Sequence, residues 1–320
     1  LITVVGMSFT WPTLEALVSE EEPAGGLQHM VGIYNAVWAA TAAVANFFGG
    51  AMLDKFGLRS LFFVAAAIQL VQLGLTCWLE SQAKPVSGRE KAAAKPALVT
   101  RETARTEHPP SALDLPAAAV QSGRPAAATF LRMAWVANPF AYIAINTLIA
   151  VVPGVAARLQ LSTTLAGFCC SVWCFSRFGA FLLLWQWAGW HYRFRWLLVA
   201  YIALVATFAS VVLAPNLAVL VAGQLVFGVA VGLLYYSSLF YSMDLGDSKG
   251  EHGGIHEAVI GLGNCAGPAV GAGALYFLPQ YSSSGTFAVT LLLLSGLGGL
   301  LAIWNAGRQR IAPRPVPHRS

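Results

Sequence analysis

Residues 217–243 read LAVLVAGQLVFGVAVGLLYYSSLFYSM, a run of 27 residues without a charged side chain. A hydrocarbon core about 30 Å thick is crossed by about 20 residues of α-helix, and a helix satisfies its own backbone hydrogen bonds in lipid. Eight other segments have the same character, and the nine predicted helices lie at 1–18, 30–53, 59–80, 131–156, 164–189, 196–214, 217–243, 254–278 and 286–306. The sequence therefore predicts an all-α fold, a polytopic membrane helical bundle.

The composition excludes a large soluble domain. Mean hydropathy is +0.64, and charged residues make up 10% of the chain, whereas soluble domains carry about 25%. The net charge of +5 comes from loops and the tail, so we expect no nucleic-acid partner. The five cysteines fall inside apolar segments and have no spacing typical of zinc or redox sites, which favours a packing role.

Lysine and arginine are distributed unevenly between the predicted connections. We interpret residues 81–130, rich in Ala, Pro and charge, as a flexible linker, and residues 307–320 as a basic tail. If the linker lies in the cytoplasm, 15 Lys and Arg residues face the cytoplasm and three face the other side. Positive charges are concentrated in cytoplasmic loops. We therefore expect an integral protein of the plasma (inner) membrane with a cytoplasmic linker and carboxyl terminus.

An internal repeat relates two parts of the chain. A shift of 222 residues places Gly32-Ile33-x-x-Ala36-Val37 on Gly254-Ile255-x-x-Ala258-Val259, and residues 6–53 then align with 228–275 without a gap. Transporters with two related halves contain such parallel repeats. The alignment predicts that the two segments form equivalent helix pairs.

Six predicted helices after a long linker, together with this repeat, resemble the architecture of the major facilitator superfamily. The resemblance implies two pseudo-symmetric halves with nine of the family's twelve helices in this sequence. Residues 1–80 would be the last three helices of the amino-terminal half, 81–130 the cytoplasmic linker, 131–306 the complete six-helix carboxyl-terminal half, and 307–320 a cytoplasmic tail. The family's first three helices would then be missing from this sequence.

A loop motif allows a second assignment of the helices. The segment GAMLDKFGLR, with Gly50, Asp54, Lys55, Gly57 and Arg59, resembles the family's G-x-L-x-D-R-x-G-R signature, which lies in the cytoplasm between the second and third helices. Under that assignment the missing helices would be the fourth to sixth, and the basic linker would lie outside. Gly57-Leu58-Arg59 also resembles a turn between the fifth and sixth helices, and we favour the repeat-based assignment.

A second small-residue motif lies further along the chain. The segment from Gly263 to Gly271 resembles the G-x-x-x-G-P-x-x-G pattern of drug–proton antiporters, but it lies in the eleventh rather than the fifth helix of the family. We interpret it as a close-packing motif, because small residues let helices approach each other.

Arg177 is the most unusual residue of the predicted spans because it lies at mid-depth. A charge there costs at least about 2.5 kcal/mol and normally faces a cavity or a partner. Arg177 is therefore a candidate for binding an anionic group of a substrate, with Trp173 and Phe181 beside it. The alternative is a structural pair or hydrogen bonds to backbone carbonyl groups.

Glu15 is the candidate for a coupling proton, because a desolvated carboxyl group can carry one. The alternative is that Glu15 extends to the cytoplasmic interface. His256 and Glu257 lie near the mouth of their helix, and we expect both to be solvated.

Other polar side chains on the predicted cavity helices are candidates for substrate binding. A stripe at helical spacing and residues on two further helices form this set: Asn138, Tyr142, Asn146, Tyr235, Tyr236 and Asn264. The alternatives are interhelical hydrogen bonds for the stripe, each worth about 0.6 kcal/mol, and an interfacial aromatic belt for the tyrosines.

The resemblance implies a secondary active transporter that moves a small organic solute by alternating access. We expect a monomer in the bilayer, no enzyme activity, no bound metal and no cofactor other than a coupling proton or cation. The alternatives are a membrane-embedded enzyme or lipid-handling protein on a multi-helix scaffold, and a nonfunctional transporter fragment. The sequence contains no H-E-x-x-H, P-loop or G-x-S-x-G motif that would indicate hydrolytic chemistry.

Overall fold

The computed structural model describes residues 2–19, 24–82, 117–245 and 249–311. These ranges contain nine α-helices and one short 3₁₀-helix, Ala188–Trp190. The α-helices are α1 (Ile2–Ser19), α2 (Ala24–Phe56), α3 (Arg59–Gln82), α4 (Ala117–Arg158), α5 (Thr163–Gln186), α6 (Phe194–Val212), α7 (Leu217–Leu245), α8 (Lys249–Phe277) and α9 (Ser284–Ile311). The predicted all-α membrane helical bundle is confirmed.

Eight of these helices, α2 to α9, are long and apolar enough to cross a membrane. The chain is therefore an integral membrane protein. The shorter α1 has 18 residues and contains Pro12, and Glu15 lies three residues later.

Some helix ends differ from the predicted ones. Helix α4 begins at Ala117, inside the stretch that we interpreted as linker; most of that stretch, and residues 312–320 of the tail, lie outside the described residues. Helix α2 begins at Ala24 rather than residue 30, and its first turns contact α5, where Gln28 Nε2 donates to the carbonyl oxygen of Trp185 at 2.8 Å. A charged or polar turn can stay helical when a neighbouring helix accepts its hydrogen bonds.

The chain forms two compact units, residues 1–54 with 123–320, and residues 55–122. In the first unit, α7 is the central helix and packs against α5, α6 and α8, while α8 also packs against α1 and α9. The core between these helices is made of large apolar side chains, including Phe181, Leu204, Phe208, Phe227 and Leu234. In the second unit, the hydroxyl group of Ser60 donates to the carbonyl oxygen of Gly57 at 2.7 Å at the start of α3.

Helices α2 and α5 run antiparallel along most of their length. Gln28 contacts the carboxyl end of α5, and the ring of Phe47 stacks on that of Phe168 near its amino end, with ring centroids 4.4 Å apart. Beyond Phe47, a Cβ atom built on Gly167 would lie 3.0 Å from the Cα atom of Gly50. The two backbones therefore touch where both residues are glycine, because any side chain would separate them.

The motif from Gly263 to Gly271 lies where α8 meets α4. A Cβ atom on Gly263 would lie 2.4 Å from the carbonyl oxygen of Pro139, and one on Gly267 would lie 2.6 Å from that of Ile143. Gly271 has only ordinary contacts. The packing interpretation is confirmed for the first two glycines, which let α8 lie directly against α4.

Candidate functional site

A cavity of about 720 Å³ lies between α1, α2, α4, α7 and α8, so helices on both sides of the predicted linker contribute to it. Its volume suits a small organic ligand. Its lining residues are Trp11, Pro12, Trp38, Tyr142, Tyr235, Gly254, Glu257, Ala258, Ile260, Gly261 and Asn264.

Aromatic rings form one wall of this cavity. Trp38 stacks on Tyr235 with ring centroids 5.2 Å apart and an interplanar angle of 12°, and Tyr142 contacts the same tyrosine at 6.2 Å. Stacked and tilted rings hold one another in place. The wall is therefore an apolar surface of mutually packed rings. Tyr142 and Tyr235 were predicted for binding, but Trp11 and Trp38 were not.

Arg177 adjoins this wall. Its side chain is buried, and its guanidinium carbon lies 4.4 Å from the ring centroid of Trp38 and 4.8 Å from that of Trp173. Such distances give cation–π attraction, worth about 2 kcal/mol when the cation is desolvated. Among the described residues, Nε of Arg177 has no hydrogen-bond partner. The contact with Trp173 agrees with helical spacing, whereas Trp38 comes from a distant helix.

Three ionisable side chains from α1 and α8 converge beside the cavity. Glu15 is 2% exposed and His256 is fully buried, and the Nε2 atom of His256 lies 3.8 Å from Oε1 of Glu15. One donor atom from each of Glu15, His256 and Glu257 lies within 4.8 Å of the other two. On its other side, Nδ1 of His256 is 2.8 Å from the hydroxyl oxygen of Ser238.

The expectation that His256 is solvated is wrong, whereas Glu257 is half-buried and lines the cavity. Helix α1 covers the first turns of α8, where a Cβ atom on Gly253 would lie 3.5 Å from the carbonyl oxygen of Pro12. This contact buries His256 and directs Glu257 to the cavity. The pair Gly253-Gly254 is the signal in the sequence, because small residues allow another helix to approach. The same packing buries Glu15, so its side chain does not extend to the interface.

The predicted asparagine and tyrosine stripe on α4 is divided between different environments. Asn146 Nδ2 donates to Oδ1 of Asn264 on α8 at 2.7 Å, which is the interhelical hydrogen bond that we gave as the alternative. Tyr142 lines the cavity. Asn138 is fully buried, and neither its Nδ2 nor its Oδ1 atom has a partner in the described part of the chain.

Tyr235 and Tyr236 point to different places. Tyr235 lines the cavity, whereas Tyr236 packs against Trp190, with ring centroids 5.4 Å apart, and its hydroxyl group donates to the carbonyl oxygen of Gln28 at 3.3 Å. Both tyrosines are buried among helices. This burial does not fit an aromatic belt facing lipid headgroups.

Comparison with known proteins agrees with this architecture. A family model described as Major Facilitator Superfamily matches residues 1–268. The chain belongs to the major facilitator superfamily. No curated protein matched it. Members of the superfamily are membrane transporters rather than enzymes, so the aromatic cavity of this major facilitator chain is the first candidate for a solute site.

The predicted loop motif of this superfamily member lies at the end of α2. Oδ2 of Asp54 accepts a hydrogen bond of 2.5 Å from the hydroxyl group of Thr164, in the first turn of α5. The amino end of a helix carries partial positive charge and favours a carboxylate. Gly57 has φ of +74°, a conformation that glycine adopts without strain, and it ends α2 before Arg59 starts α3. Lys55 lies beside the ring of Phe56.

The loop between α5 and α6 is anchored on α7. The backbone N–H of Tyr192 donates to the hydroxyl oxygen of Tyr241 at 3.0 Å, and the hydroxyl group of Tyr192 donates to Asp244. His191 stacks on Phe240 at 4.2 Å. Burial lowers the pKa of His191 below its ordinary value, an effect that the nearby Asp244 carboxylate partly opposes.

Proposed function

We propose that this transporter is a secondary active carrier that moves a small organic solute by alternating access, with the aromatic cavity as its binding site. The observation that carries the proposal is the origin of the lining residues. Trp11 and Trp38 precede the predicted linker, whereas Tyr142, Tyr235 and Glu257 follow it. In two-halved transporters the substrate site lies between the halves, which rock around it.

The chemistry of the cavity supports an organic solute with a polar or anionic group. The aromatic wall offers apolar surface, and the guanidinium of Arg177, which is not itself a lining residue, lies against the ring of Trp38. Asn264 adds an amide group to the lining. An anionic or strongly polar group contacting Arg177 and an apolar body on the rings would use both features.

We place the coupling cation at Glu15. Its carboxyl group lies in a fully buried cluster with His256, and burying a carboxylate without positive charge is costly. A cation at this position would neutralise the carboxylate while the solute occupies the neighbouring cavity. The cluster adjoins the cavity through Glu257, so we expect a cation at the cluster to change the affinity of the cavity for the solute.

We assign a gating role to the segment from Gly50 to Arg59. The hydrogen bond between Asp54 and Thr164 joins the end of α2 to the start of α5. Alternating access requires contacts of this kind between the halves to form in one state and break in another.

Cysteine accessibility tests the proposed function without knowledge of the solute. In a variant of the protein whose own cysteines are replaced by alanine, Asn264→Cys should react with a membrane-impermeant maleimide from each side of the membrane. The two sides are tested in right-side-out and in inside-out vesicles. Proteoliposomes should also give currents after concentration jumps of small carboxylates or phosphate esters.

The matched control is Ile202→Cys on α6, where the side chain is exposed on the surface of the bundle and should react from neither side because lipid covers it. Reaction of the cysteine at position 264 from one side alone would contradict alternating access. Reaction of the control from both sides would show that the labelling reports leakage.

A further inference from the structure

We propose that Glu15, His256 and Glu257 form a binding site for a divalent transition-metal ion of the zinc class. The three side chains come from α1 and α8, and one donor atom of each lies within 4.8 Å of the others. Their donors, one imidazole nitrogen and two carboxylate oxygens, are a set that catalytic zinc sites use together with one open position.

The atoms at the centre of this cluster make no hydrogen bond of normal length within the described residues. Among the described residues, the two oxygens of Glu15 and the Nε2 atom of His256 have no hydrogen-bond partner. Both side chains are fully buried. Buried polar atoms are almost always hydrogen-bonded or bound to an ion. These atoms belong to two buried side chains that face each other at 3.8 Å, and such a pair without hydrogen bonds indicates a ligand between them.

The distance between Glu15 and His256 favours a bridging ion over a direct contact. Nε2 and Oε1 are 3.8 Å apart, which is too long for a hydrogen bond. In a tetrahedral zinc site with bonds of about 2.1 Å, two donor atoms lie about 3.4 Å apart. A small movement of either side chain brings the pair to that separation.

The second nitrogen of His256 is already positioned. Nδ1 lies 2.8 Å from the hydroxyl oxygen of Ser238, and the ring of Tyr235 packs edge-on against the imidazole with centroids 5.1 Å apart. Metal-binding histidines usually have a partner of this kind on the other ring nitrogen, which fixes the ring orientation. Nε2 is thus held toward the two carboxylates.

The donor set also determines the class of ion. Imidazole suits zinc, cobalt and other borderline transition metals, whereas magnesium and calcium prefer sites made of oxygen ligands alone. Glu257 belongs to the cavity lining, so the cavity offers the ion a path to the site. The site is therefore of the exchangeable type.

Metal binding can be measured without a transport assay, so failure of this proposal and failure of the proposed function are distinguishable. The parent protein for these measurements has its cysteines replaced by alanine and is held in lipid nanodiscs. Zn²⁺ binding is measured by calorimetry, and Co²⁺ binding by visible absorption. Zn²⁺ should bind with one ion per chain, and Co²⁺ should give d–d bands of a nitrogen- and oxygen-ligated site. Mg²⁺ at the same concentration should not compete.

The variants Glu15→Gln, His256→Gln and Glu257→Gln should each weaken Zn²⁺ binding at least tenfold. The matched controls are Glu251→Gln, an exposed carboxylate on the same helix, and His29→Gln, whose imidazole contacts Trp185; both should bind as the parent does. Ser238→Ala keeps all three ligands and should weaken binding about tenfold, as loss of such a partner typically does.

Two results would overturn the proposal. One is an absence of stoichiometric Zn²⁺ binding by the parent protein, which would assign water or a proton to the cluster. The other is Zn²⁺ binding that the three ligand variants and the two controls share equally, which would place the ion elsewhere. Retained folding of each variant is checked by its elution as a single monodisperse species, and Ser238→Ala provides a test that removes no buried charge.

Discussion

At the scale of the residue, Trp38 connects the unusual charge of the membrane interior to the cavity. Its ring lines the cavity, stacks on Tyr235 and receives the guanidinium of Arg177. A desolvated cation is tolerated in an apolar interior when aromatic faces or anions surround it. The contact explains how Arg177 is accommodated without a carboxylate partner in the described part of the chain.

Replacing Arg177 by lysine keeps the charge but removes the planar group that stacks on the two indole rings. We expect Arg177→Lys to bind benzoate, a probe with a carboxylate and an aromatic body, at least tenfold more weakly than the parent protein, at unchanged expression. Quenching of tryptophan fluorescence measures this affinity. The matched control is Arg195→Lys, which alters an exposed arginine on Trp196 and should leave it unchanged. Equal affinities in the two variants would contradict the prediction.

His191 gives a prediction about pH. Burial lowers the pKa of His191 in the folded protein. At a pH below the ordinary pKa of about 6.5, the imidazole is therefore protonated in the unfolded chain to a greater extent than in the folded chain. Stability must then fall as the pH drops below that value. We expect Tm to decrease between pH 7.5 and 5.5, with a smaller decrease in His191→Gln. Differential scanning fluorimetry in detergent checks this, and parallel curves for the two proteins would refute it.

At the scale of the element, the carboxyl end of α4 shows how a helix ends without glycine. The N–H of Leu161 donates to the carbonyl oxygen of Ala156, and that of Gln160 to Ala157, both at 3.0 Å. This pair of bonds is a Schellman motif. Gln160 has φ of +55°, in the left-handed region where a side chain costs about 1–2 kcal/mol.

Gln160→Gly should therefore stabilise the protein. The side chain of Gln160 is exposed, so its removal costs no packing, and the net gain is about 0.5–1 kcal/mol after the entropy of glycine is subtracted. Ala157→Gly is the matched control on the same turn, and it should lower stability because Ala157 is helical. Thermal unfolding of both variants measures the two effects, and a shift of the same sign in both would contradict the assignment.

The contact between α4 and α8 gives a second prediction at this scale. A methyl group on Gly263 would meet the backbone of Pro139 at 2.4 Å, so Gly263→Ala must separate two helices and should cost about 1–3 kcal/mol. Nothing lies within 4 Å of a Cβ atom on Gly273 of the same helix, so Gly273→Ala should be neutral or stabilising. Tm of the two variants in one detergent decides this, and equal shifts would show that the helices are not in close contact.

At the scale of the whole molecule, the direction of the helices agrees with the alternation used to count charges. Because α2 and α5 are antiparallel, the start of α2 lies beside the end of α5, and the end of α2 lies beside the start of α5. The contact between Ser19 and Met243 joins the carboxyl ends of α1 and α7, which therefore point to the same face. The carboxyl ends of α1, α5 and α7 therefore share one face of the first compact unit, and the carboxyl end of α2 lies at the other.

The bias of Lys and Arg then predicts which face is cytoplasmic. We expect Thr100→Cys, in the predicted linker, to stay unlabelled when intact cells are treated with an impermeant maleimide, and Leu58→Cys, between α2 and α3, to be labelled. The cells are opened with detergent as a control, and both positions should then react. Labelling at position 100 in intact cells would reverse the topology and favour the alternative assignment of the helices.

The sequence by itself determined the elements and their environment. Runs such as 217–243 must be helical in lipid because no water satisfies their backbone groups, and that property is local to the run. The close-packed glycines Gly263 and Gly267 were also recognisable, because small residues at a four-residue spacing have few other uses in a membrane helix.

Only the tertiary structure decided what the polar residues do. Glu15 and His256 lie far apart in the sequence, and Trp38 and Arg177 lie on opposite sides of the predicted linker. In neither pair does the local sequence around one residue indicate its partner. Asn146 donates a hydrogen bond to Asn264 on another helix. His256, which we expected in solvent, is buried under α1. Burial and distance are properties of packed surfaces, and a single helix does not contain the surface that will cover it.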